Sequence, residues 1–287
     1  MDVGLHALGI GTGAHRDVID AVASEAESCG FATLWAGEHV VAVENSSSRY
    51  PYSSSGRIAV PAHVAWNDPM ITLSFAAAAT ATITLATGIL LLPEHNPLIV
   101  AKQAATLDQL SQGRLVLGVG LGWSREEFDA LGIPFARRGR RTEQYVRAMR
   151  TLWRDKVASF ADEFVQFREV RMEPKPSNGG SIPVILGGNS DSALRRVAAW
   201  ADGWYGFYLD TVTDVADRLD TLRASVHDAG RDGQPMRCSI ALREPKPDDV
   251  KALSDLGVDE FVVVDSPPAD PAHATEWVHA LAARWLT

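Results

Sequence analysis

The chain has 287 residues, with 27 Lys and Arg against 36 Asp and Glu, a formal charge of −9. With 46% hydrophobic and 22% charged residues it can bury a substantial core, which excludes disordered and fibrous classes. The one dense basic run is Arg137, Arg138, Arg140 and Arg141. A net negative chain of this kind has no electrostatic footprint for a polynucleotide, so no nucleic-acid partner is expected. Cys29 and Cys238 belong to no C-x-x-C pair, which supports neither a disulfide framework nor a zinc knuckle and points to a reducing cytoplasm. The start, MDVGLHALGIG, lacks the basic and long apolar regions of a signal peptide, and threonines, a serine and a glycine interrupt the apolar stretch 71–92. Neither export nor a membrane span is expected.

In chain order, β-rich runs fall at residues 3–8, 33–36, 84–88, 115–119, 183–186, 203–206, 238–242 and 260–264. Segments of helical apolar spacing follow them at 17–29, 69–80, 97–112, 138–154 (after a short 124–131 segment), 190–201, 213–229, 247–256 and 271–285. Such an alternation in about 250–290 residues predicts a single (β/α)8 TIM barrel over 1–287, with its chemistry on the loops that follow the strands. Residues 44–66, ENSSSRYPYSSSGRIAVPAHVAW, are too long for an ordinary loop after the second strand and read as a lid-like insertion. With Tyr50, Tyr52, His63 and Trp66, the insertion looks built to close over a small-molecule substrate. Residues 156–181 carry an alternating FVQFREVRM run and then PKPSNGG, a small strand excursion before the fifth barrel strand.

A competing reading is an open dinucleotide fold. Gly9-Ile10-Gly11-Thr12-Gly13-Ala14 fits G-x-G-x-x-[GA] after a strand, with Glu38 as a ribose partner. No second mononucleotide half follows, and a similar Gly118-Val119-Gly120-Leu121-Gly122 recurs after the fourth strand, so the glycines mark strand ends more than one fingerprint. The histidines form neither an H-x-H after the first strand nor an H-E-x-x-H, and no metal is expected.

The ordered motifs are Thr87-Gly88-Ile89 with Pro93; Asn96-Pro97 through Ala101-Lys102-Gln103 to Leu107-Asp108; Ser111-x-Gly113-Arg114; and Gly118-Val119-Gly120-x-Gly122-Trp123. Later come Pro183-Val184-x-Leu186-Gly187-Gly188, Ala201-Asp202-Gly203 and Leu256-Gly257-Val258. In these the chain closely resembles the bacterial luciferase-like superfamily, in its F420-dependent branch. The resemblance implies a barrel that binds coenzyme F420, or alternatively FMN, at the strand ends, often as a homodimer. The implied activity is hydride transfer between a deazaflavin and a small organic substrate. An FMN-dependent monooxygenase and a non-catalytic flavin- or deazaflavin-binding protein are the alternatives.

Three regions suit these tasks. Glu38-His39 ends the second strand at the barrel mouth, where relatives set the matching histidine against the cofactor ring and where its titration suits proton transfer; a histidine that merely caps the barrel is the plainer reading. At Thr87-Gly88-Ile89 the resemblance implies a cis Gly88–Ile89 peptide that supports the ring from one face. Gly120, Gly122 and Trp123, together with Gly187, Gly188, Asn189 and Ser190, would offer backbone N–H groups to a phosphate at a helix start. Asn189 and Ser190 equally read as N-caps, and the two roles are compatible. Relatives that oxidise glucose 6-phosphate carry a glutamate at the position of Trp123, which puts that reaction in doubt here. The Arg137–Arg141 run reads as a solvated helix start.

Overall fold

The computed structural model describes residues 1–177 and 179–286. Asn178, inside the 156–181 excursion, and Thr287, the last residue of the range read as a barrel, lie outside the described residues. Eight parallel strands close into a barrel: β1 (Asp2–Leu8), β2 (Thr33–Ala36), β3 (Thr84–Thr87), β4 (Leu115–Val119), β7 (Val184–Gly187), β8 (Gly203–Leu209), β9 (Arg237–Leu242) and β10 (Glu260–Val264). Closure is direct, since β1 pairs with β10 from Asp2 opposite Glu260 to His6 opposite Val264. This removes the open dinucleotide sheet. The Gly9–Ala14 run is instead a 3-10 turn (Gly11–Ala14), and Gly11 N–H donates to Ala65 O at 2.9 Å, so the first loop ties down the end of the insertion.

The surrounding helices are α1 (Arg16–Cys29), α2 (Pro69–Ala79), α3 (Pro97–Leu110), α4 (Arg125–Ala130), α5 (Arg138–Arg154), α6 (Asp191–Trp200), α7 (Val212–Asp228), α8 (Pro247–Asp255) and α9 (Pro271–Trp285). Their inner stripes carry helical spacing, as in α1, which buries Val18, Ile19, Val22, Ala23 and Ala26. Starts are set by side-chain caps: Asp68 on Ile71 N–H, Asn96 on Leu98 N–H, Ser124 on Glu127 N–H and Ser190 on Ala193 N–H. The excursion before the fifth barrel strand is an antiparallel pair, β5 (Ala158–Ala161) and β6 (Gln166–Val170).

Between strands and helices lies the main apolar core, and a second, smaller cluster fills the barrel: Trp35, Ala86, Ile185, Tyr205, Ala241 and Val262. These come from alternating inward positions, and Trp35 stacks on Tyr205 with centroids 4.6 Å apart. This plug forms the floor on which the mouth is built. β8 runs three residues past the predicted 203–206 because an irregular step, Gly206 opposite Ile240 and then Leu209 opposite Leu242, carries its aromatic end over the mouth.

Candidate functional site

His39 follows β2 at the C-terminal end of the barrel. Its Nδ1 lies 2.8 Å from Glu127 Oε2, and Glu127 Oε1 accepts from the N–H groups of Val40 (2.8 Å) and Val41 (3.2 Å). Glu127 stands on α4, is 1% exposed, and accepts three hydrogen bonds. With Glu127 as a carboxylate, His39 Nδ1–H is the third donor to it, and this pairing leaves His39 Nε2 outside it. The ring is held edge-on by Trp66 (centroids 4.9 Å, 89°) and Trp123 (5.8 Å, 87°). The adjacent Glu126 accepts from Ser46, Ser47 and Ser48, so one helix start grips both His39 and the insertion.

Each Glu38 oxygen holds a partner within the protein. Oε2 accepts from Leu91 N–H (2.6 Å) and Oε1 meets His95 Nε2 (3.0 Å), so the residue expected at the cofactor braces the loop after β3 while forming part of the wall. Burial works to lower the His95 pKa, but the Glu38 hydrogen bond together with the charges of Glu38, Asp68 and Glu127 overcomes it, and the pKa is raised. Beside this pair, Glu94 is buried with neither carboxyl oxygen hydrogen-bonded, and burial, then the charges of Glu127 and Glu38, push its pKa up to about 9. Glu94 therefore stays protonated at neutral pH in the fold, whereas the unfolded chain releases that proton near 4.5. The native state binds the extra proton between those values, so stability falls as pH rises across that window. Glu94→Gln, which cannot ionise, is expected to outlast wild type by about 1–3 kcal/mol at about pH 8.5 and to match it near pH 5. Urea unfolding at both pH values checks this; an unchanged gap would refute it.

The Gly88–Ile89 peptide is cis, as the resemblance implied. Gly88 and Ile89 form one wall of a cavity of about 360 Å³ that also meets His6, His39, Trp66, Trp123, Tyr205 and Phe207. Gly120 and Gly187 face the Ile89 side chain, which fixes this shelf. Thr87 does not reach the cavity: fully buried, it donates from Oγ1 to Gly118 O (2.6 Å) and ties β3 to β4, because its position in the strand pleat points away from the mouth.

Across the shelf, Ile89, Leu91 and Gly187 also wall a larger groove of about 990 Å³ that includes Gly122, Gly188, Asn189, Ser190, Arg49, Arg138 and Arg196. Gly188 has φ +124°, a conformation closed to most side chains, and Ser190 caps α6. Asn189 donates Nδ2 to Phe207 O (2.7 Å), but its Oδ1 is buried with no partner. Arg49, Arg138 and Arg196 form no ion pair among the described residues, while Arg137 engages Glu163. Arg138 donates Nε to Gly122 O (3.1 Å) and lies over the Phe135 ring, and its burial, then the neighbouring Arg196 and Arg125, lower its pKa. The run read as a solvated helix start is thus only partly so: Arg138 borders the groove, and Arg141 is buried, donating to Pro134 O (2.7 Å).

Sequence reading missed Glu127, Arg196, His6, Tyr205 and Phe207. His6 Nδ1 meets Tyr205 OH at 3.0 Å on the cavity floor, and burial lowers its pKa to about 4, so it is neutral. Its inward position on β1 was the available signal. Glu127 gave none, because Arg125-Glu126-Glu127 looks like any solvated first helical turn.

A family model described as luciferase-like monooxygenase matches residues 4–245. An uncharacterized protein of Mycobacterium tuberculosis is 34% identical over 265 residues, 92% of each chain. An FMNH2-dependent dimethylsulfone monooxygenase of Pseudomonas fluorescens is 34% identical over 150 residues, 51% of this chain and 40% of that protein. Among solved structures, the coenzyme F420-dependent tetrahydromethanopterin reductase of Methanopyrus kandleri has a TM-score of 0.76 at 16% identity, covering 99% of this chain and 98% of its own. The monooxygenase RslO1 of Streptomyces bottropensis has a TM-score of 0.77 at 19% identity, covering 100% and 99%. The structural likenesses speak to the barrel, and the sequence matches to membership: the chain belongs to the luciferase-like monooxygenase family.

Proposed function

We propose that this luciferase-like oxidoreductase uses coenzyme F420, moving a hydride between the deazaflavin and a small organic substrate beside His39. The observation that carries the choice of cofactor is the groove, which Arg138 and Arg196 border without ion-pair partners among the described residues. FMN ends at one phosphate, whereas F420 continues from its phosphate into a chain of carboxylates, the partner that uncompensated guanidinium groups favour. In this reading the ring rests on Gly88–Ile89, and the phosphate meets the start of α6 at Gly188, Asn189 and Ser190. When bound, the cofactor supplies hydride chemistry at its C5. His39 Nε2 takes or returns the accompanying proton, with the imidazolium stabilised by Glu127, a pairing that a non-catalytic carrier has no use for.

The second reading, an FMN-dependent monooxygenase, is favoured by the match to the dimethylsulfone enzyme. Anaerobic fluorescence titration of the protein with F420 and with FMN separates them: F420 binding in the micromolar range or tighter is expected, with FMN weaker by about tenfold or more. FMN binding with no response to F420 would reverse the assignment.

The partner proposed besides substrate is a second copy of the chain. Ile71 and Phe75 of α2 and Ile99 of α3 are 60%, 43% and 59% exposed, and α2 carries no charged residue. Sedimentation of a dimer, and of a monomer for Phe75→Glu, is expected; a wild-type monomer would remove this proposal. The reducing cytoplasm remains the compartment that suits free Cys29 and Cys238. No helix among the described residues is long and apolar enough to cross a membrane.

A further inference from the structure

The cavity next to His39 differs sharply in character from the groove. Its outer walls are aromatic, with Tyr50, Tyr52, Trp66, Trp123, Phe207 and Tyr208 all contributing. They brace one another: Tyr50 on Trp123 (5.2 Å, 65°), Tyr52 on Phe207 (5.3 Å, 84°), Phe207 on Tyr208 (4.1 Å, 24°). Three of them, Tyr50, Tyr52 and Trp66, come from the insertion, so the sequence supplies an aromatic box by folding residues 44–66 over the mouth.

Among the described residues no lysine or arginine lines this wall, and its carboxylates are Glu38 and Asp265. His6 is neutral and bonded to Tyr205, and Glu38 holds Leu91 N–H and His95. Asp265 accepts from Ser266 N–H (2.8 Å) and Trp277 Nε1 (3.2 Å). Burial holds Tyr52 as a phenol, its pKa pushed up to about 12, and raises that of Tyr50 too. An anion entering here would give up hydration facing the Glu38 and Asp265 carboxylates with no lysine or arginine on the wall, whereas a flat ring would gain edge-to-face contacts on several sides. His39 Nε2 is open on this wall, with His6 Nε2 and the indole N–H groups of Trp66 and Trp123, and of these it is the one on a ring whose other nitrogen is held by a carboxylate; it accepts from a hydroxyl when neutral and donates to a carbonyl as imidazolium.

We propose that the substrate is a ring-bearing alcohol or ketone without an anionic group, seated in the Tyr50, Tyr52, Trp66, Trp123, Phe207 box with its reacting oxygen on His39 Nε2. The proposal deepens the oxidoreductase reading and rests on its placement of chemistry beside His39. It also gives Trp123 a function, as the apolar wall that an acid at this position would break.

Isothermal calorimetry with 1-tetralone, its 6-carboxylate and glucose 6-phosphate, on the protein with and without F420, tests it. 1-Tetralone is expected to bind in both forms, the carboxylate at least about tenfold more weakly, and glucose 6-phosphate more weakly still. Trp66→Ala and Tyr52→Ala, checked by circular dichroism for retained fold, are each expected to weaken 1-tetralone about fivefold or more. The proposal is overturned if 1-tetralone does not bind, if either anion binds as tightly, or if both folded variants bind like wild type. Should F420 fail to bind while the 1-tetralone pattern holds, only the cofactor reading falls, and the substrate class stands.

Discussion

Glu127→Ala is expected to destabilise the protein by about 2–4 kcal/mol. The substitution strips acceptors from Val40 N–H, Val41 N–H and His39 Nδ1 at a position 1% exposed, leaving part-buried donors unpaired and a void under the mouth. Glu127→Gln separates structure from chemistry. Its amide oxygen still accepts from Val40 and Val41, but its NH2 group faces Nδ1 and forces the ring into the other tautomer, with the proton on Nε2. We expect this variant to keep most of its stability and to lose turnover by on the order of 10²–10⁴-fold, the scale on which a carboxylate that orients a catalytic histidine acts. Urea unfolding of both variants and F420-linked turnover of Glu127→Gln check the pair. A Glu127→Ala protein within about 0.5 kcal/mol of wild type would show that the carboxylate is not the mouth's anchor.

The double variant Arg138→Ala/Arg196→Ala is expected to weaken F420 by on the order of 10²-fold, since each guanidinium offers charge-assisted hydrogen bonds of about 1.5–3 kcal/mol to the carboxylate tail. FMN affinity should change far less, because its single phosphate is met by Gly188 and the start of α6. The fold itself should tolerate the change: the two cations oppose one another, and among the described residues Arg196 donates to Ser192 and Arg138 to Gly122 O. Wild-type F420 affinity in the folded double variant would place the tail outside this groove.

Much of the barrel was written into local pattern. Strands buried on both faces read as short apolar runs, and their alternation with amphipathic segments leaves little besides a closed parallel sheet. Ends were less legible: β8 overran because an irregular register with β9, a tertiary fact, carried Tyr208 across the mouth. At the site, His39 could be read from its place after a strand. Its partner could not, since 88 residues separate it from Glu127. The partners of Thr87 and Glu38 were equally out of reach: Thr87 Oγ1 bonds Gly118 O, and Glu38, on the cavity wall, bonds Leu91 N–H and His95, groups that only the folded chain brings near. The cis Gly88–Ile89 peptide came through resemblance alone, for no local rule singles it out.

A crystal structure of the protein with F420 tests the central claim most directly. The ring is predicted on the Gly88–Ile89 shelf with its reactive face toward His39, the phosphate at Gly188, Asn189 and Ser190, and the carboxylate tail along Arg138 and Arg196. A phosphate seated instead at the Gly9–Ala14 turn, or a tail leaving the arginines in solvent, would contradict it.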